Sequence, residues 1–285
     1  MIFISSSCIK KKNILDVLKV FKDNNINHVE LSGGTENFPN QEKDIVNYIG
    51  QSDFEIRIHN YFPPPKKHFV INIASLNKEI YLKSIEQCLK AINLSKKFGS
   101  KKYSVHAGFL IDPKTTDLRN QQIKLYSQLF DEKSAILKMK EALTVLKAES
   151  GKDLDIYLEN NVLNKKNFNR FGKNPFLLTD KNSYLKLKKF IDFNLLLDLA
   201  HLKVSCNTLG YDFYSEANFL YDQTDYLHLS GNDGIEDRNS TIISDYKLNK
   251  FLSTKNLKNK TITLEVYDNL HNIEKDYSFI KSLIK

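Results

Sequence analysis

Six short hydrophobic or β-branched runs in this chain close on a residue that can ligate a metal or move a proton. They cover residues 54–59, 102–106, 154–159, 194–198, 225–228 and 261–265, and they close on His59, His106, Glu159, Asp198, His228 and Glu265. In the fourth, three leucines give way to Asp198, and an imidazole follows at His201. Apolar runs too short for a helix read as buried strands that open onto a polar mouth. Taken singly, a strand histidine is usually a satisfied structural residue, and a strand-end Asp or Glu usually caps the next helix. Several that converge on one mouth would crowd carboxylates and imidazoles with nothing to relieve them. A divalent cation does relieve them, and carboxylates with an imidazole form a hard, oxygen-rich site suited to Mn, Mg, Co or Zn.

Something must bring these strand ends together. Two plainer runs, at residues 2–6 and 28–31, precede the six, which makes eight candidate strands. Segments with helical periodicity separate most of them: residues 13–24, 78–98, a long stretch over 118–148, and 272–284. The alternation predicts an α/β chain with a parallel sheet, and eight units fit a (β/α)8 TIM barrel that keeps its chemistry at the C-terminal strand ends. Strand parity then puts Tyr157, Leu196, Tyr226 and Thr263 in the layer beneath the polar residues. By the same parity Arg57 lies beneath His59, and a buried guanidinium calls for a carboxylate, Glu30 or Asp155. After His59 the loop Asn60-Tyr-Phe-Pro-Pro-Pro65 offers two aromatics as a wall for a substrate pocket.

Bulk properties narrow the function classes. The 285 residues, 41% hydrophobic, suffice for one barrel spanning residues 1–285 as a single domain. No run of 18 uncharged apolar residues occurs, and residues 1–7 are too short for a signal peptide, so a cytoplasmic protein without membrane association is expected. Cys8, Cys88 and Cys206 are widely spaced, which argues against a disulfide framework and against a thiolate metal site. The net charge is +8, yet only four of the 42 basic residues are arginine and the lysines are scattered, a poor footprint for nucleic acid.

His59, Val105-His106-Ala-Gly, Glu159-Asn, Asp198-Leu-Ala-His201, His228-Leu-Ser-Gly-Asn-Asp-Gly and Glu265 together resemble the xylose-isomerase-like barrel superfamily. That superfamily includes sugar and sugar-phosphate isomerases and epimerases, and also endonuclease IV. The resemblance covers essentially the whole chain. It implies a divalent metal held by Glu159, Asp198, His228 and Glu265, with the two glutamates doubling as the acid/base pair. The implied reaction is proton abstraction next to a carbonyl through a metal-stabilised enediolate. His59, His106, His201 and Asp237 match further ligands of the nuclease's three-zinc cluster, or serve as substrate contacts. Where that nuclease has an Asp-x-His motif, this chain reads Asp237-Arg238-Asn239, and a neutral amide is a poor zinc ligand. This tilts the expectation toward the sugar-handling branch, with a small sugar or sugar phosphate as partner and Arg238 and Asn60 as substrate contacts. The alternatives are an endonuclease IV-like zinc phosphodiesterase on abasic DNA and a sugar or inosose dehydratase. A homo-oligomer is compatible with the same resemblance.

Overall fold

The structure, a computed structural model, describes residues 1–126 and 128–284. Eight parallel strands, β1 (Ile2–Ser5), β2 (His28–Leu31), β3 (Glu55–His59), β4 (Lys102–His106), β5 (Asp155–Glu159), β6 (Asn194–Asp198), β7 (Tyr226–Leu229) and β8 (Thr261–Leu264), close into a barrel in chain order. The α/β barrel predicted from the strand-end pattern is therefore the observed fold, and each expected strand lies within two residues of its observed bounds. No helix of the described residues is long and apolar enough to cross a membrane.

Register sets the height of the functional side chains. His106 pairs with Glu159 across β4 and β5, and Asp198 pairs with His228 across β6 and β7, while the β5–β6 register sets Glu159 opposite Leu196, so the polar residues come as two level pairs offset by two residues. One layer down, Tyr157, Leu196 and Tyr226 pack together as a buried cluster inside the barrel, and Thr263 is buried beside them, as parity requires.

The outer helices form where capping and apolar periodicity agree. Asn13 accepts a hydrogen bond from the Leu15 N–H to start the helix Ile14–Asp23, whose Ile14, Val17, Leu18 and Phe21 are fully buried. Asn77 caps the helix Lys78–Lys97 in the same way, and Gly99, at φ 66°, lies just beyond its end. The long helix expected over 118–148 is not continuous. A short helix, Thr115–Arg119, stops there, and a new helix, Glu132–Ser150, begins at Asp131, whose Oδ1 accepts from the Ser134 N–H at 2.9 Å. The interruption has a packing cause: Ile123 is buried against Val70, Phe109, Ile111, Leu163 and Phe176, and its N–H donates to Asn167 Oδ1.

The expected ion pair of Arg57 is also corrected. Arg57 does lie inside the barrel, but its guanidinium sits over the Phe3 ring at 4.3 Å and near the Tyr226 ring at 5.4 Å. Asp155 is exposed, and Glu30 is turned to His228 instead. The π faces supply the favourable electrostatics that a carboxylate was expected to give.

One glycine holds the site's framework. A Cβ on Gly108, two residues beyond His106, would lie 2.2 Å from Ala74 Cβ and 3.0 Å from Asn72 Oδ1. Asn72 Oδ1 is already committed to the Phe109 and Ala74 N–H groups. Gly108→Ala is therefore expected to destabilise the fold by about 1–3 kcal/mol, read as a lower urea midpoint at unchanged slope.

Candidate metal centre

His59, His106, Glu159, Asp198 and His228 project from within β3, β4, β5, β6 and β7 in turn, and Glu265 stands one residue beyond β8. Asp198 does two things at once. One oxygen caps the helix Leu199–Leu209 by accepting from the His201 N–H at 2.8 Å, and the other faces the His201 ring at 3.9 Å. This is the local reason for the Asp-Leu-Ala-His spacing, because three residues bring the imidazole over the first helical turn.

Glu159 is the centre of the arrangement. It is fully buried, and four imidazoles surround it: His59 Nε2 at 3.1 Å, His106 Nδ1 at 3.2 Å, and His201 Nδ1 and His228 Nδ1 each at 3.5 Å. Asp237 reaches His201 Nε2 at 3.4 Å, and Glu265 approaches His228 Nδ1 at 3.7 Å. The rings are held from behind. His59 Nδ1 meets Ser104 Oγ at 2.8 Å, and His201 Nδ1 donates to the Asn160 carbonyl at 2.9 Å, which leaves His201 Nε2 facing Asp237.

The charges are strongly coupled. Burial by itself would raise the Glu159 carboxyl, but the charges of His106 and His59 overcome it and hold the group well below the usual range. Burial opposes charge on His201 and His228 too, yet Asp198 and Asp237 in the first case, and Glu30 and Glu265 in the second, hold both imidazoles well above their ordinary value. Burial dominates at three other groups: it lifts Asp198 to about 6 and Glu265 to about 7, and it pushes His106 down to about 4.

These residues fit a cation. Both oxygens of Glu159, both nitrogens of His228, His106 Nδ1 and Asp237 Oδ1 are buried without an aligned hydrogen bond. Buried polar atoms of this kind require a partner. Glu159, Asp198 and His228 bring ligand atoms within 4.8 Å of one another, and so do His59, His106 and Glu159, so Glu159 is shared between two possible positions. The donor set, carboxylate oxygen with imidazole nitrogen, suits the divalent ions expected from sequence.

Of the expected site residues, the structure brings together Glu159, Asp198, His228, Glu265, His59, His106, His201 and Asp237. Asn60, in a left-handed conformation at φ 44°, lines the adjoining cleft of about 780 Å³, together with Tyr61 and Asn239. Arg238 is not brought in. Its side chain is 58% exposed and pairs with Asp233 at 3.1 Å and Glu236 at 3.9 Å. Two features of the site escape the sequence reading. Parity turns Glu30 inward, but its place beside His228 has no sequence signal. The run Lys10-Lys11-Lys12, which reads as scattered charge, lines a second arm of the cleft, of about 600 Å³, together with His59, His201 and Glu265.

No family model matches the chain, and no curated protein does. Solved structures match over nearly its whole length. A D-tagatose 3-epimerase-like protein is similar at 16% identity and a TM-score of 0.71, over 99% of this chain and 96% of that one. Endonuclease IV from Thermus thermophilus is similar at 12% and 0.62, over 99% and 98%. A xylose isomerase domain protein from Planctomyces limnophilus is similar at 11% and 0.60, over 99% and 95%. The chain therefore shares the closed (β/α)8 barrel fold of these three proteins.

Proposed function

We propose that the protein is a metal-dependent isomerase or epimerase of a sugar or sugar phosphate that moves a proton next to a carbonyl. The observation that carries this reading is the approach of Glu159 and Glu265, from non-adjacent strands, to the same His228 Nδ1, at 3.5 and 3.7 Å. Without a cation their environments already differ: His106 and His59 hold Glu159 well below the usual range, and burial raises Glu265. Glu159, Asp198, His228 and Glu265 would hold a divalent cation, which as a Lewis acid would polarise the substrate carbonyl and acidify the neighbouring carbon. In epimerisation one glutamate would take the proton from that carbon and the other would return it to the opposite face of the same carbon; in isomerisation the proton would be returned to the neighbouring carbon, the former carbonyl carbon, while the hydroxyl proton passes to the former carbonyl oxygen. Asn60 and Tyr61 offer an amide and an aromatic face to a polyol from the cleft wall. The similarity to a D-tagatose 3-epimerase-like protein supports the same chemistry.

The test is solvent-deuterium incorporation from a panel of ketoses and their phosphates in the manganese-loaded protein. Chelator-sensitive exchange with an isomer or epimer as product is expected; loss of water from the substrate would make the protein a dehydratase instead. The pairing of Asp237 with His201 and the grouping of His59, His106 and Glu159 favour a second metal position, as an endonuclease IV-like phosphodiesterase would use. Asn239, at the place of an imidazole ligand, weighs against that reading. Chelator-sensitive cleavage of an abasic duplex, without sugar exchange, would decide for it.

Lys10 and Lys11 support an anionic group on the sugar, since both line the cleft and neither has an acidic partner among the described residues, whereas Lys12 pairs with Glu36 at 3.2 Å. Replacing both by alanine is expected to raise KM for a phosphorylated ketose by about tenfold, the loss of roughly one charge-assisted contact, and to leave the unphosphorylated sugar unaffected. Equal effects on both sugars would remove the lysines from recognition.

A further inference from the structure

We infer that Glu30 is the positioning residue of the metal centre: it reaches across the barrel from β2 and fixes the ring of His228 so that Nδ1 faces the cation. The inference rests on the metal-dependent reading above and adds a residue that reading does not use.

Glu30 and His228 are both fully buried. The carboxylate has two distinct oxygens. Oε2 is anchored, accepting from the Tyr226 hydroxyl and from Thr263 Oγ1, the latter at 3.0 Å. Oε1 and His228 Nε2 lie 3.0 Å apart as an ion-pair contact, and neither atom has a hydrogen-bond partner elsewhere. Where a cation holds the imidazole neutral, its one proton belongs on Nε2, facing a carboxylate that can only accept. The lone pair of Nδ1 is then directed to the other side, where Glu159 Oε1 stands at 3.5 Å and Glu265 Oε2 at 3.7 Å. Such an arrangement fixes the tautomer and orientation of a ligand histidine and raises its basicity. Tyr226 and Thr263 leave the Glu30 carboxylate little freedom to turn away. An alternative use of the same atoms exists, because Glu30, His59 and His228 also bring ligand atoms within 4.8 Å of one another. In that case Nε2 would carry the cation and not a proton, and the two arrangements give opposite spectra.

The experiment combines zinc titration calorimetry with long-range 1H–15N correlation of the histidine rings in the zinc-loaded protein. Wild-type protein is expected to show His228 protonated at Nε2 and metal-bound at Nδ1. Glu30→Gln is expected to weaken zinc binding by about 10–100-fold and to loosen that fixed tautomer, with the rest of the spectrum conserved. Glu30→Asp, which keeps the charge but shortens the reach, should recover part of the affinity. Zinc affinity unchanged by Glu30→Gln would overturn the inference, and so would a wild-type His228 protonated at Nδ1. The wild-type spectrum decides even where a variant does not fold. Wild-type protein that takes up no zinc would overturn the metal-dependent reading and this inference with it, an outcome distinct from zinc uptake that is indifferent to Glu30.

Discussion

Glu159→Gln is expected to lower solvent-deuterium incorporation into substrate by at least about 10³-fold, the upper part of the range for a positioned acid or base, while the barrel remains folded. Glutamine conserves the volume of a fully buried side chain, so no cavity opens. What it removes is the charge that faces four imidazoles between 3.1 and 3.5 Å. The same substitution takes a ligand from both groupings that share Glu159 and takes a carboxylate from the proposed proton-transfer pair. These losses fall on one atom pair, so they compound. Exchange at the wild-type rate would take Glu159 out of the mechanism. Exchange that collapses for Glu159→Gln but survives Asp198→Asn would separate proton transfer from metal retention, because Asp198 has no part in the proposed transfer.

The barrel and most of its site are legible in the sequence for one physical reason. A buried parallel strand needs an unbroken apolar run, and a polar residue at its end stands out against that run, as at Asp198 and Glu159. Where a polar residue sits within the strand, type and parity are visible but the partner is not. Parity turns both Glu30 and Arg57 inward, and they are direct neighbours in register across β2 and β3. Yet Glu30 faces His228, and Arg57 lies over aromatic rings. Choosing between a cation and an imidazole for one carboxylate depends on distances across the barrel, which no local pattern encodes. The break in the long helix is a different failure. Residues near 120–130 have helical composition, but burial of Ile123 under the Phe109 and Phe176 rings outweighs it, and Asp131 with Ser134 restarts the helix further on. Arg238 shows the limit of reading a motif by position: it stands next to Asp237, but its side chain turns outward to Asp233.

Removal of the metal should produce a protein whose stability falls as the pH rises from about 6.5 to 8.5, and re-addition should reverse that slope. The sign follows from the direction of each shift. His59, His201 and His228 are held above their ordinary value despite burial, by Glu159, by Asp198 and Asp237, and by Glu30 and Glu265 respectively. A group raised in the folded state stabilises fully below its unfolded pKa, about 6.5 for histidine, and loses that contribution as pH climbs through the folded value. Glu265, raised by burial to about 7, retains a proton that the unfolded chain has released, and its contribution declines over the start of the same interval. Glu159 has the opposite sign, but its depressed value places its window in acid; His106, pushed down to about 4, also has the opposite sign, and it opposes the slope only until the unfolded imidazole has lost its proton, about one pH unit above 6.5. Above that point the folded, metal-free protein binds more protons than the unfolded one, and each excess proton costs about 1.4 kcal/mol per pH unit. A divalent cation displaces those same protons, so its affinity grows with pH. At a hundredfold excess over Kd it would add about 2.7 kcal/mol, a rise in Tm of roughly 4–5 °C at pH 8. Thermal unfolding with manganese and with chelator at pH 6.5 and pH 8 reads both effects, with the larger metal increment at pH 8. A metal increment that shrinks with rising pH would mean that the cation binds away from these histidines, and the buried cluster would have to be read as a charge network closed on itself.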